Sequence, residues 1–158
     1  MLNKGGKFLS LYEKQESYRK VIICHDRDKY SKEEVYKRVV SNIISSAKLK
    51  NKLICILIPT EEIEAWILAD MEAIVKVFPS FVPPKQPFFN PEKEPDPKEK
   101  LKGLLNKNKP RPLYMDTNDN KKIIEELDLD EVKKKCPSFV ELVQFVENDT
   151  ANYPKNNE

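Results

Sequence analysis

Two short apolar runs, separated by an amphipathic stretch, set the predicted architecture. Residues 20–26 and 53–58 are nearly continuously apolar and rich in β-branched side chains, which is the pattern of strands covered on both faces. Between them Ser31 stands three residues before Glu34, the signature of a capped helix N-terminus. From there to about residue 48, apolar residues recur at helical spacing: Val35, Val39, Ile43 and Ala47.

Strand, helix and strand at this length predict a βαβ unit, which is almost always parallel and right-handed. Both strands should therefore end at the same edge of the sheet, where open α/β sheets bind their ligands. The first strand, being apolar throughout, is expected to be central in the sheet.

The second half of the sequence is predicted to be mainly helical. Nine of the twelve prolines fall in residues 79–112, so this span should be an irregular excursion with one short helix at 97–105. Thr60 is expected to cap a helix that ends near Ala69. Further helices are predicted at 71–78, 120–127, 130–135 and 137–147, the last with a stripe of Phe139, Val143 and Val146. We expect one α/β domain over residues 1–148 and a polar, disordered tail at 149–158.

Composition narrows the class of protein. Apolar residues make up 39% and charged residues 34% of the sequence, so folding is expected. No run approaches the roughly 18 apolar residues of a membrane span, and no signal peptide precedes the first strand, so the protein is expected in the cytoplasm. The three cysteines are expected to be reduced core thiols: Cys24, Cys55 and Cys136.

The net charge of +2 comes from 28 basic and 26 acidic side chains, which excludes a protein held on nucleic acid by bulk charge alone. Any contact with a polyanion must be local. The proline-rich excursion is locally basic, as a phosphate-binding surface or a merely solvated face would be. Its basic residues are Lys98, Lys100, Lys102, Lys107, Lys109 and Arg111.

Two aspartates follow the first predicted strand. Asp26 and Asp28 form an Asp-x-Asp there. Such carboxylates can share one hard cation such as Mg²⁺ or Mn²⁺, because these ions prefer oxygen ligands and keep several waters for substrate phosphates. The same aspartates can instead form a turn before Ser31, and the residues leave both interpretations open.

Acids also follow the second strand. Glu62 and Glu64 point about 200° apart on a helix, so at most one of them can face the aspartates, and Glu62 is preferred as the nearer to the strand end. The alternative is that both stabilise the helix dipole. Trp66 is expected in the core, and His25, the only histidine, is expected on a strand face rather than in catalysis.

Four blocks of the sequence together resemble a bacterial family known as domain of unknown function 4276, over residues 3–147. They are Cys-His-Asp-Arg-Asp from Cys24, Glu-x-Glu-Ala-Trp-x-x-Ala-Asp from Glu62, Pro-Lys-Glu-Lys-Leu from Pro97 and Cys-Pro-Ser-Phe from Cys136. The second block is the specific one.

That family is similar to Toprim domains, in which an Asp-x-Asp and a glutamate after an earlier strand hold Mg²⁺. The resemblance implies a Toprim-like (Rossmann-like), mostly parallel sheet with flanking helices and a helical, proline-rich C-terminal half. It also implies that Asp26 and Asp28 are metal ligands, and it makes Glu62, Glu64 and Asp70 candidate site residues.

The sequence departs from the family at its start. Relatives begin with a strand and a Glu-Gly turn ahead of the segment that matches Gly5 and Gly6, so the first glutamate has no counterpart here. The resemblance then implies a missing ligand and an open sheet edge. Another chain, a second copy or residues 7–12 would cover that edge, and the chain would be a shortened product or half of a split protein.

The resulting hypothesis is a Mg²⁺-dependent, phosphodiester-handling domain, in its specific form a nuclease of bacterial defence or mobile elements. Asp26 and Asp28 would hold the metal, and Glu62 would assist as a ligand or through a bound water. The basic residues of the proline-rich excursion would bind the phosphates of the nucleic-acid backbone. The rival is a catalytically inactive Toprim-like module that binds nucleic acid or a partner protein. A phosphotransferase with Asp26 as nucleophile is disfavoured, because Tyr30 replaces the threonine or valine expected there.

Overall fold

The fold is α/β, with a parallel strand pair and flanking helices, as predicted. The computed structural model describes residues 2–13, 15–26, 30–47, 49, 52–59, 63–86, 88–107 and 114–150. In that part of the chain the sheet consists of β1 (Lys20–Cys24) and β2 (Leu53–Leu57). They run parallel, with Lys20 opposite Leu53 and Cys24 opposite Leu57. The predicted parallel crossover is therefore confirmed.

The helices carry most of the described residues. In chain order they are α1 (Leu2–Glu13), α2 (Lys32–Val39), α3 (Ser45–Ala47), α4 (Glu64–Ala69), α5 (Met71–Val77), α6 (Pro97–Asn106), α7 (Asp116–Glu125), α8 (Leu129–Lys135) and α9 (Pro137–Asn148). A π-helical turn (Val40–Ile44) joins α2 to α3, and a 3₁₀ turn (Pro91–Lys93) precedes α6. The short helix predicted within the proline-rich span is confirmed by α6.

The helix between the strands begins as the sequence indicates. The Ser31 side chain accepts a hydrogen bond from the Glu34 N–H, and the Glu34 side chain accepts one from the Ser31 N–H, which completes the capping box. The predicted apolar stripe is buried along its whole length, and all of it except Ala47 forms the core with side chains from β2. Its members are Val35, Val39, Ile43 and Ala47.

The predicted burial of β1 on both faces is wrong. Ile22 is 45% exposed and Cys24 is exposed as well, so one face of β1 is open, and β1 is not central in the described sheet. β2 fits the expectation better, because four of its five residues are buried. The expectation of core thiols holds for Cys55 and Cys136 but is wrong for Cys24.

The N-terminal segment is a helix. Residues 7–12 lie in α1 and so do not extend the sheet as a strand. Helix α1 packs against the π-helical turn and α3. An added Cβ at Gly6 would lie 1.7 Å from the Ser46 Oγ, so glycine allows this close approach of the two helices.

The chain divides into two compact units, Met1–Ile58 with Glu141–Glu158, and Pro59–Val140. We call them unit 1 and unit 2. The apolar stripe that begins in α2 at Val35 is called the α2 stripe. The core of unit 1 lies between it and β2. In unit 2, α4 contacts α5, α6, α7, α8 and the 3₁₀ turn, and its Ile67 and Leu68 are fully buried in the core. Unit 2 is thus organised around α4.

The stripe predicted for the last helix is wrong at its C-terminal end. Phe139 and Phe145 are buried, whereas Val146 is half exposed. Of the tail predicted at 149–158, the structure describes only Asp149 and Thr150, and Asp149 forms an ion pair with Lys20 at 2.7 Å. In the described residues no helix is both long and apolar enough to span a membrane.

Candidate functional site

Asp26 lies just beyond the end of β1, where the sequence predicts a ligand site. The His25 N–H donates to the Leu57 carbonyl at 3.0 Å, so the strand pairing continues to the residue before Asp26. Asp26 itself is exposed. No described Lys or Arg forms an ion pair with its carboxylate within 4.0 Å. This carboxylate is therefore accessible to a cation from solution.

The neighbouring side chains report on the electrostatics at this strand end. Partial burial raises the pKa of the Cys24 thiol, and the negative charge of Asp26 raises it further. The His25 Nδ1 lies 2.7 Å from the Asp26 carbonyl oxygen. Because a carbonyl can only accept, this contact favours the tautomer with the proton on Nδ1. His25 is half-buried and continues the backbone pairing with β2 directly after β1.

Of the remaining predicted metal ligands, the structure describes only Glu64. Asp28 and Glu62 lie outside the described residues, as do Lys109 and Arg111. Glu64 is described and belongs to unit 2, whereas Asp26 belongs to unit 1. Among the described residues, no group of three or more His, Cys, Asp or Glu side chains is placed to hold a metal.

Glu64 is a buried carboxylate, only 6% exposed, at the first turn of α4. Its Oε1 accepts a hydrogen bond from the Asn120 Nδ2 at 2.9 Å. The Tyr114 hydroxyl donates to the Oδ1 of the same Asn120. Burial raises the pKa of Tyr114, and the negative charge of Glu64 raises it further, so this tyrosine stays neutral and remains a donor. The Asn120 side chain thereby fixes the orientation of the Glu64 carboxylate.

Asp70, the last acid of the specific sequence block, accepts hydrogen bonds from backbone N–H groups. Its Oδ1 accepts from the N–H groups of Glu72 at 3.0 Å and Ala73 at 3.3 Å, and so caps α5. Its Oδ2 accepts from the Asp128 N–H at 2.8 Å. These three donors satisfy the hydrogen-bonding capacity that burial of the Asp70 carboxylate requires.

Trp66 packs in the core, as predicted. Its ring meets Phe139 edge to face with centroids 5.0 Å apart, and its Nε1–H donates to the Ser138 Oγ at 2.9 Å. The Ser138 hydroxyl in turn donates to Glu92, which also accepts from the Ser138 N–H at 3.2 Å. Glu92 is 6% exposed and was missed by the sequence reasoning, since it lies in the proline-rich span predicted to be irregular.

Of the four predicted phosphate-binding cations that the structure describes, three are in ion pairs. Lys107 is exposed at the end of α6. The three cations with acidic partners lie on α6 within unit 2, and the contacts are Lys98 with Asp116 at 2.6 Å, Lys100 with Glu94 at 3.6 Å and Lys102 with Glu99 at 3.2 Å. A phosphate bound by these lysines would have to compete with carboxylates of the protein.

Comparison of the sequence with models of known protein families identifies one family. The family model described as domain of unknown function (DUF4276) matches residues 8–147. No curated protein and no solved structure matches the chain. Within unit 2, two of the sequence blocks that carry the resemblance are joined directly, because Trp66 of one block donates to Ser138 of the other.

Proposed function

The chain belongs to the family described as domain of unknown function (DUF4276), and on that premise we propose that it is a Toprim-like, Mg²⁺-dependent domain that cleaves phosphodiester bonds. The observation that carries the proposal is the position of Asp26. It is exposed directly after β1, at the carboxyl end of a parallel strand pair. Ligands of open α/β sheets bind at that end of the strands.

The donor chemistry at this strand end suits Mg²⁺ or Mn²⁺. Mg²⁺ is commonly bound by one or two carboxylates, with waters and substrate phosphates completing its shell. The accessible carboxylate of Asp26 and that of Asp28, two residues later, would supply such a set. Glu62, which follows β2 in the sequence, is the further predicted ligand.

The proposed division of labour follows from these residue types. When bound, the ion would polarise a phosphoryl oxygen of the substrate and lower the pKa of the attacking water. Asp26 and Asp28 would orient the phosphate by holding the ion, and Glu62 would assist either as a further ligand or through a bound water. The lysines of α6 would contribute only after releasing their acidic partners.

Isothermal titration calorimetry with MgCl₂ and with MnCl₂ tests the metal site. We expect Asp26→Asn to weaken binding at least about tenfold, since it removes a charged ligand at a cost of about 1.4 kcal/mol or more. Asp130→Asn is the matched control, because the Asp130 side chain is 78% exposed and makes only a surface ion pair with Lys133. Equal affinity in the wild type and Asp26→Asn would exclude the proposed site.

The activity is tested with end-labelled DNA and RNA oligonucleotides in Mg²⁺, Mn²⁺ or EDTA. Cleavage by the wild type should require the divalent ion and should be lost in Asp26→Asn, while Asp130→Asn cleaves at the wild-type rate. Circular dichroism should give the same helical signal for all three proteins. Cleavage by Asp26→Asn would rule out the assigned role.

The second candidate is an inactive Toprim-like module that binds nucleic acid or a partner chain. The open face of β1 favours it, because Ile22 and Cys24 are exposed on a strand that is apolar in sequence. Such a module should bind neither ion at millimolar concentration and should leave the oligonucleotides intact, yet retain them in a binding assay. The calorimetric titration therefore separates the two functions.

A further inference from the structure

Tyr30 and Arg38 form a stacked pair on the surface of unit 1. The guanidinium carbon of Arg38 lies 3.7 Å from the centroid of the Tyr30 ring. Both residues are exposed. The guanidinium therefore lies over the aromatic face at cation–π distance, and this contact restricts the side chain.

Arg38 forms no ion pair with any described acid of unit 1. Within the described ranges, no acid lies close enough to form an ion pair with its guanidinium, the limit being 4.0 Å. Four other cations of unit 1 each have such a partner: Arg19 and Lys20 with Asp149, Lys32 with Glu141, and Lys37 with Glu33. Arg38 is thus a fixed positive charge that the described part of the unit does not neutralise.

Glu34, the acid nearest to Arg38 along the helix, is already hydrogen-bonded to Ser31. Glu34 lies one turn before Arg38, and its Oε2 accepts from the Ser31 N–H at 2.9 Å and the Ser31 Oγ at 2.8 Å. These two hydrogen bonds are the main reason for the low pKa of Glu34, and the charge of Arg38 adds a smaller effect. The capping box therefore keeps Glu34 from capturing the arginine.

A guanidinium stacked in this way keeps its hydrogen-bonding edge available. The N–H donors of a guanidinium lie in its own plane, in a fork that matches two phosphate oxygens. Because the stack already restricts the side chain, less conformational entropy is lost when an anion binds. The outer face of the guanidinium also remains open to a nucleobase, as in proteins that bind single strands.

The pair lies close in the chain to the proposed metal ligands. Tyr30 follows Asp26 by four residues, so their Cα atoms are at most about 14 Å apart, and both belong to unit 1. We propose that the Tyr30–Arg38 stack is the phosphate-binding element for a single nucleic-acid strand presented to Asp26. This inference rests on the proposed function and names the group that would hold its substrate.

Fluorescence anisotropy with a fluorescein-labelled single-stranded DNA oligonucleotide in EDTA tests the inference without metal. Arg38→Gln should weaken binding about tenfold, or about 1.4 kcal/mol. The logarithm of the binding constant falls linearly with the logarithm of the salt concentration. Arg38→Gln should make this slope shallower by about 0.7, the value for one phosphate contact on a single strand. Arg19→Gln is the matched control, an exposed arginine in the same unit that is ion-paired with Asp149, and it should change neither quantity.

Three further variants separate the effect of charge from that of stacking. Tyr30→Leu and Arg38→Lys keep the positive charge, so the salt slope should stay while the affinity falls about threefold, or about 0.7 kcal/mol. Tyr30→Phe keeps the ring and should bind as the wild type does. A purely structural role of the pair would lower the stability of every variant without changing the salt slope of Arg38→Gln.

The outcomes distinguish this inference from the proposed function. Equal losses in Arg38→Gln and Arg19→Gln, or no binding by the wild type, would overturn the phosphate-binding role, whatever the calorimetry gives for the metal. Loss of binding in Arg38→Gln alone, combined with no metal binding by the wild type, would support the stack while removing the nuclease. In that case the chain would be the inactive nucleic-acid-binding module.

Discussion

The buried contact of Ser138 gives the sharpest stability prediction. Its hydroxyl accepts from the Trp66 indole N–H at 2.9 Å and donates to the buried Glu92. Ser138→Ala removes both hydrogen bonds: it leaves the indole N–H without its partner in the core and takes the hydroxyl donor away from the buried Glu92 carboxylate. Each stranded buried group costs about 1–3 kcal/mol. Because the Ser138 N–H still donates to Glu92, we expect a total loss of about 2–4 kcal/mol.

Urea denaturation followed by tryptophan fluorescence measures this loss directly. Trp66 is the only tryptophan and lies in unit 2 with the substituted residue, so its emission reports the unit that is weakened. For an m-value of about 2 kcal/mol per M, the midpoint should fall by at least about 1 M.

An exposed serine provides the control. Ser45 is exposed, and its Oγ donates to the Val40 carbonyl at 2.9 Å on the surface of unit 1. Ser45→Ala should change the free energy of unfolding by no more than about 0.5 kcal/mol. If Ser138→Ala also stayed within this limit, the hydroxyl would not link Trp66 to Glu92 in solution, and the reasoning would be refuted.

Two further predictions concern close packing and thiol reactivity. Gly6→Ala should destabilise the packing of α1 by about 1–3 kcal/mol in thermal denaturation, because its Cβ would collide with the Ser46 Oγ, whereas Gly103→Ala, with open space around it, should stabilise α6 by about 0.5–1 kcal/mol. In a thiol-exchange assay at pH 8, Asp26→Asn should accelerate the reaction of Cys24. Removing the negative charge lowers the pKa of that thiol and so enlarges its thiolate fraction. An unchanged rate would contradict the electrostatic effect of Asp26.

The parts of the fold that depend on near neighbours in sequence could be predicted. The capping box at Ser31 and Glu34 involves hydrogen bonds between residues three apart, and the α2 stripe follows from helical periodicity. Helix α6 begins at Pro97, which has a fixed backbone angle suited to a first turn. Each of these features is determined within a few residues.

The parts that depend on distant contacts could not be predicted. The open face of β1 at Ile22 follows from which elements surround the strand, and an apolar run does not state how many neighbours it has. Glu92 is buried because Ser138, 46 residues away, supplies its donors. The sequence does not distinguish Arg38 from the other polar residues of its helix, since only the stacking of Tyr30 does so. Candidate chemistry at Asp26 was visible in sequence because it follows a strand directly.

The wide turn at Val40–Ile44 makes the exact length of this segment matter. In a regular α-helix, four residues advance about 40° beyond a full turn, so a stripe spaced by four would drift away from the core after several repeats. The π-helical turn absorbs that drift and keeps Ala47 buried with Val35. Deleting one residue there would rotate the following part of the helix by about 100°. Ala47 would then turn away from the core.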